Sequence, residues 1–266
     1  MLNIQNSNFL TKEEIKRVAP SVFTKNALHS VSDYYTHIPT SKVIEDMENL
    51  GWGVSDAKEV RARSNMGFQK HLVIFRNPNI VIDGNDGDTV YPQILLTNSH
   101  DGKNAFTFTA GLFRLVCENG LVISTETFNN VKMRHMGYSF EELRNKIYEI
   151  VEQLPLTVET MNKMKQIELN ENQAKELAQR SLEVRFGEDQ VQNVKIDIEQ
   201  LLIPTRREDK NNDLWSVFNV IQEKIIHGDF IYNIGPKVRK ARKIKNFSQD
   251  LKINQELFSL ALEYAN

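Results

Sequence analysis

The chain has 266 residues, 40% of them hydrophobic and 26% charged, with a formal net charge of −2. At ~150 residues per domain that is one large domain or two small ones, with room for a core that needs neither metal nor disulfide. One cysteine, Cys117, excludes a disulfide scaffold, and no apolar run approaches the ~20 residues that cross a bilayer.

The opening residues, Met1–Asn6, lack the basic-then-apolar order of a secretory signal, so the expected location is cytoplasmic, with no membrane partner. Lys12–Val18 reads as a short helix broken by Pro20. Thr40 or Ser41 is placed to cap a helix that carries Val43, Ile44, Met47 and Leu50 on one face and stops at Gly51. From Trp52 to Arg134 the pattern is β. Lys70–Arg76, Tyr91–Thr97, Ala105–Thr109, Leu112–Cys117, Leu121–Ser124 and Phe128–Arg134 are short runs rich in β-branched and aromatic residues. Gly102 and Gly111 mark breaks, and Asn119-Gly120 predicts a hairpin turn.

After Tyr138 the period becomes helical. Ser139 precedes a run carrying Leu143, Ile147, Ile150, Val151 and Leu154; Pro155 interrupts it, and a second helix follows to about Lys165. Further helices are expected over Glu171–Phe186, Val194–Leu202, Leu214–His227 (capped by Asn212 or Asp213, closed by Gly228) and Gln249–Tyr264 (capped by Ser248). Strands first and helices afterwards imply an α+β protein: a central antiparallel β-sheet followed by a largely helical C-terminal half. The expected organisation is a mostly β unit with an N-terminal helix over residues 1–138 and a helical unit over 139–266, packed as one compact domain.

The slightly acidic average conceals a basic segment. In Lys237–Lys245 (KVRKARKIK), Lys237, Arg239, Lys240, Arg242, Lys243 and Lys245 are cations, and Arg206 and Arg207 lie in a preceding loop. Such density repels itself and asks for an anionic partner. Flanked by Gly235-Pro236 and Asn246-Phe247-Ser248, it reads as a mobile connector between helices, suited to phosphates. The alternatives are a solvated connector neutralised by the protein's own carboxylates, and a contact for an acidic protein. Tyr34, Tyr35, Trp52, Phe68, Phe106, Phe108 and Tyr232 are candidate rings for base stacking. Phe106 and Phe108 share a strand face, which is equally what a core requires.

Thr97–Gly102 (TNSHDG) is the densest group of reactive residue types. Asn98, His100 and Asp101 are equipped to hold a metal, a water or a phosphate, yet Asn, Ser, Asp and Gly are also what a tight turn needs. His71 and His135 would form a histidine cluster if the fold brought them to His100. Consecutive Ser99, His100 and Asp101 do not converge as a triad. Asp83–Asp88 only partly resembles a calcium loop, Cys117 reads as a buried thiol, and Glu126 near Asn129 and Asn130 is a weak acid–base candidate. No phosphate-binding loop or dinucleotide fingerprint occurs, and no cofactor or metal is expected.

Ser32–Pro39 (SDYYTHIP), Lys70–Arg76 (KHLVIFR), Leu96–Ala105 (LTNSHDGKNA), Ala110–Val122 (AGLFRLVCENGLV), Arg206–Phe218 (RREDKNNDLWSVF) and Ser248–Asn254 (SQDLKIN) resemble the phage/plasmid-like proteins grouped as domain of unknown function 932. The likeness runs from about Ser30 to Tyr264. It implies a mobile-element context, and it implies that Asn98, Ser99, His100, Asp101, Gly102, Arg114, Cys117, Asn119 and Gly120 belong to the family's β unit. Glu118 departs from the small or polar residue many relatives carry there.

The leading expectation is a non-catalytic nucleic-acid-binding protein of a mobile element. Single-stranded DNA is the favoured ligand, in binding or annealing during recombination or replication, and a homo-oligomer is possible. Arg206, Arg207, Lys237, Arg239, Lys240, Arg242, Lys243 and Lys245 would track phosphates. One alternative is a metal-dependent phosphodiester enzyme with His100 as acid–base group, Asp101 as ligand or orienter and Arg114 as clamp. Another is a counter-defence protein that docks on a host surface.

Overall fold

Thr11 and Glu14 start the first helix by exchanging bonds. The Thr11 hydroxyl accepts the Glu14 N–H, and the Glu14 carboxylate accepts the Thr11 N–H, so α1 spans Lys12–Val18. The computed structural model to which it belongs describes residues 9–32, 35–83, 89–114, 119–122, 131–133 and 139–265. Pro20 opens a 3-10 turn, Pro20–Phe23, and α2 follows over Thr40–Asn49. Neither Thr40 nor Ser41 caps α2 with its side chain. Pro39 holds the cap position, and the Thr40 hydroxyl is engaged by His71 instead. Gly51 stops the helix at φ +84°.

Strands β1 (Gly53–Glu59), β2 (His71–Arg76), β3 (Ile82–Asp83), β4 (Thr89–Asn98), β5 (Phe106–Arg114), β6 (Asn119–Val122) and β7 (Val131–Met133) form one sheet with the path β1-β2-β4-β5-β6; β3 pairs with β4 and β7 with β5. Its four principal strands, β1, β2, β4 and β5, are antiparallel. The register aligns Val54 with Phe75, Phe75 with Ile94, Val73 with Leu96, and Leu96 with Phe108. Paired residues share a sheet face, so these side chains form one apolar surface. A bulge between Val54 and Asp56 returns Ala57 to that face, opposite Val73. Ile15, Ile38, Val43, Ile44 and Met47 join the same core. Phe106 and Phe108 are fully buried in it, ring edge to ring face at 5.2 Å. Burying a side chain of that size contributes about 2–3 kcal/mol.

The pattern misplaces two turns. Gly111 does not break a strand; it pairs with Gln93 inside β5. Asn119 and Gly120 open β6 and are not the centre of a turn. Cys117, Glu118, Glu126, Asn129, Asn130, Tyr34, His135 and the loop from Gly84 to Asp88 lie outside the described residues.

Ser139 accepts the Glu142 N–H and starts α3 (Phe140–Lys165). Pro155 lies inside this helix and does not end it. Leu143, Ile147 and Ile150 join the core under the sheet. The chain forms two compact units, Met1–Gly120 with Glu126–Leu154, and Leu121–Thr125 with Pro155–Asn266. The second holds α4 (Glu171–Phe186), α5 (Glu188–Val191), β8 (Val194–Lys195), a 3-10 turn (Ile198–Leu201), α6 (Leu214–His227), β9 (Ile231–Ile234), β10 (Lys237–Lys240) and α7 (Phe247–Glu263). The helix expected over Val194–Leu202 is replaced by β8 and the 3-10 turn; Asp197 caps the latter and divides the run. Asn246, not Ser248, caps α7. Helix α6 is nearly all buried, and Trp215, Phe218 and Phe258 stack between α6 and α7. The molecule is thus α+β, with an antiparallel sheet first and a mostly helical C-terminal half. No described helix is long and apolar enough to cross a membrane.

Candidate nucleic-acid interface

The basic segment begins as a strand. Gly235-Pro236 forms a two-residue turn, with Ile234 paired to Lys237 across it and Gly235 at φ +56°. A turn that starts with a positive φ matches the twist of a hairpin. Strands β8, β9 and β10 make a three-stranded sheet with β10 at its edge. All four residues of β10 are exposed. Tyr232 pairs with Arg239 on one face, while Ile231 pairs with Lys240 on the other.

The arm beyond the hairpin is fastened and is not a loose connector. The Ala241 N–H donates to the Phe230 carbonyl at 2.9 Å, and the Ile244 N–H donates to the Ile226 carbonyl at 2.9 Å. Gly228, at φ +85°, lets the arm approach: a Cβ there would meet the Ala241 carbonyl oxygen at 2.6 Å. Arg185, in the last turn of α4, donates to the carbonyls of Ile225 and Arg242, the latter at 2.7 Å. Its guanidinium also sits 5.4 Å from the Phe230 ring centroid and 5.8 Å from that of Phe186. Burial lowers its pKa from the usual guanidinium value. Gln200 clamps the start of β9 by bonding both the N–H and the carbonyl of Ile231.

These constraints leave a pocket of about 620 Å³ lined by Arg185, Tyr232, Val238, Arg239, Lys240 and Arg242. Four of the six are cations. Lys240 meets Asp229 at 2.8 Å, but both side chains are about two-thirds exposed, so water weakens the pair. Tyr232 is backed by Phe186 at 5.1 Å and Phe230 at 6.0 Å between centroids. Lys237, Lys243 and Lys245 are exposed on the same hairpin and arm. Arg206 differs from them. It is bound to the Glu223 carboxylate through both terminal nitrogens, with Asp209 4.0 Å away, while neighbouring Arg207 is exposed. Burial and nearby Lys243 lower the pKa of His227, and Arg206 adds to the effect, so the two cationic segments act on one imidazole.

The turn after β4 is built the other way round. Asn98, Ser99 and His100 are completely buried. Asn98 donates to the Ile38 carbonyl and the Thr40 hydroxyl, and its own oxygen accepts the Ser99 N–H. His71 Nδ1 faces the Gln69 carbonyl at 3.3 Å and Ser21 Oγ at 3.0 Å. A carbonyl only accepts, so Nδ1 carries the proton and Nε2 accepts from Thr40 at 2.8 Å. Burial pushes the His71 pKa down to about 4. His100 stands between His71 and His37, with ring centroids 5.2 and 4.6 Å away. A histidine cluster therefore exists, with His37 as the member the sequence did not suggest. Among the described residues no group of three or more His, Cys, Asp or Glu is arranged to hold a metal ion.

Asp101 closes the turn by accepting from Ser99 Oγ and the Lys103 N–H. Tyr35 donates to the Ser99 carbonyl, and its pKa rises to about 12 through burial and the Asp101 charge. Arg114 lies at the opposite end of the β4–β5 ladder, paired with Val90, whereas the turn adjoins the Thr97–Thr107 pair. His100 and Asp101 thus come together, and the Arg114 backbone is about 20 Å of strand away. Of the candidate stacking rings, Trp52, Phe106 and Phe108 are buried, whereas Tyr232 lines the basic pocket.

Two relatives from Escherichia coli (strain K12), UPF0380 protein YafZ and UPF0380 protein YfjQ, are each 32% identical over 255 residues, covering 95% of this chain and 90% of each relative. No solved structure matches. The family model described as Domain of unknown function (DUF932) matches residues 27–258, and with that coverage the chain belongs to the DUF932 family.

Proposed function

We propose that the protein binds nucleic acid, single-stranded DNA in preference, through the β9–β10 hairpin and the arm that follows it, in strand binding or annealing during recombination or replication of a mobile element. The observation that carries this reading is the basic pocket: Arg185, Arg239, Lys240 and Arg242 around Tyr232. Exposed cations attract phosphates whatever the base sequence. A half-exposed aromatic ring suits an unpaired base, which a duplex keeps stacked away. The arm's backbone is pinned at Ala241, Arg242 and Ile244, so binding has to order its side chains but not its main chain.

The test is a fluorescence-polarisation titration of the whole chain with single-stranded and duplex DNA over a range of salt. The single strand binds more tightly, with affinity falling as salt rises. Replacing Arg239, Lys240, Arg242 and Lys243 by Gln weakens binding and lowers the slope of log affinity against log salt by roughly 0.7 per lost phosphate contact. Absence of binding at low salt overturns the proposal.

A further inference from the structure

We infer that the basic pocket receives a phosphomonoester, the terminal phosphate of a strand, and is not merely one station along a continuous backbone. This rests on the nucleic-acid reading above. The first reason is shape. A terminal group needs a local recess, and residues 185, 232, 238, 239, 240 and 242 line a half-open one of about 620 Å³. That is the size of a small-ligand pocket, about 300–1,000 Å³.

The second reason is charge. Four cations line the pocket, and the neighbouring carboxylate of Asp229 offsets one of them. An internal phosphodiester brings a single negative charge. A terminal phosphate brings close to two at neutral pH and three acceptor oxygens. The larger, more concentrated charge matches the surplus.

The third reason is the division of labour among the guanidinium groups. Arg185 is spent on the Ile225 and Arg242 carbonyls, so it supplies field and holds the arm. Arg239 and Arg242 stand exposed on the hairpin and arm. Each presents a planar fork that meets two phosphate oxygens at once. Tyr232, across the ladder from Arg239, offers its ring to the adjoining base. A mononucleotide carries the same phosphomonoester, so the experiment must separate it from a strand end.

The whole chain is titrated with a 3′-labelled oligothymidylate that carries either a 5′-phosphate or a 5′-hydroxyl, and with the 5′-labelled strand that carries either a 3′-phosphate or a 3′-hydroxyl. The expected result is about tenfold or tighter binding of one phosphorylated end over its hydroxyl counterpart. Arg239→Gln with Arg242→Gln reduces that ratio to near one, while the exposed positions leave thermal unfolding unchanged. Equal affinity of phosphorylated and hydroxyl ends overturns the inference and leaves the nucleic-acid reading standing; no binding of any strand overturns both. In the competition arm, thymidine 5′-monophosphate displaces the phosphorylated strand less effectively than an unlabelled phosphorylated strand does. Complete displacement by the mononucleotide at equal concentration overturns the strand end as the ligand.

Discussion

Two polar clusters in this protein, one of Asn, Ser and His and one of Arg and Lys, are put to opposite ends. In the first unit, Asn98, Ser99, His71 and His100 are withdrawn from water, and the groups of Asn98 and His71 are matched to Ile38, Thr40, Gln69 and Ser21. In the second, Arg239, Arg242, Lys243 and Lys245 stand exposed on a backbone fixed from below by Arg185. A buried polar group survives only when paired, so the first cluster stabilises the fold and is poorly placed to meet a ligand. An exposed cation held on a rigid frame keeps its valence for something else. Density of reactive residue types is therefore a weaker guide to a site than the direction in which they face.

The largest expected effect breaks the inward cluster. In Asn98→Ala the Ile38 carbonyl and the Ser99 N–H each lose a partner in a dry interior. At about 1–3 kcal/mol for each stranded group, unfolding free energy falls by about 4 kcal/mol. Urea denaturation measures it. A change under about 1 kcal/mol would mean that the network is replaceable. Oligonucleotide affinity of the remaining folded protein stays as it was.

Acid attacks the same cluster by a second route. The folded pKa of His71 is held near 4, below its ordinary 6.5, because burial disfavours the charged ring. Between those values the unfolded chain takes up a proton that the native state refuses. The contribution is complete above pH 6.5 and is lost as pH falls through 4, at roughly 1.4 kcal/mol per pH unit. The loss totals about 3 kcal/mol. His71→Gln removes the titrating group, so its stability declines less steeply over this window. Parallel pH profiles for the two proteins would assign the acid sensitivity elsewhere.

The contrast also explains what was legible in the sequence. Helix ends depend on neighbours in the chain, so Lys12–Val18, Glu171–Phe186 and Leu214–His227 stand in the structure with the expected bounds, the first ahead of Pro20 and the last between Asp213 and Gly228. Gly235-Pro236 between Ile231–Ile234 and Lys237–Lys240 was a local hairpin signal as well, obscured by the charge density that followed it. Other features depend on distant partners. His37 reaches His100 from a loop, and Arg185 finds its carbonyl acceptors 40 and 57 residues away, at a spacing no pattern encodes. Pro155 misleads in the other direction: its local preference is to end a helix, yet α3 runs through it to Lys165.

The smallest expected effect separates cations that merely carry charge from cations free to use it. By composition Arg206 and Arg239 are equivalent. In the structure Arg206 grips Glu223 with both terminal nitrogens and has Asp209 nearby, and the bond in turn helps hold the Glu223 pKa below the carboxylate range. To contact a phosphate, Arg206 would have to give up a charge-assisted, half-buried pair and leave a carboxylate unmatched. That exchange gains little over the interaction it sacrifices. Arg206→Gln is therefore expected to change oligonucleotide affinity less than about twofold, a difference under about 0.4 kcal/mol, while Arg239→Gln weakens it severalfold in the same titration. Equal losses for the two variants would show that Arg206 releases its carboxylates on binding, and the interface would then extend beyond the hairpin and its arm to the loop before α6.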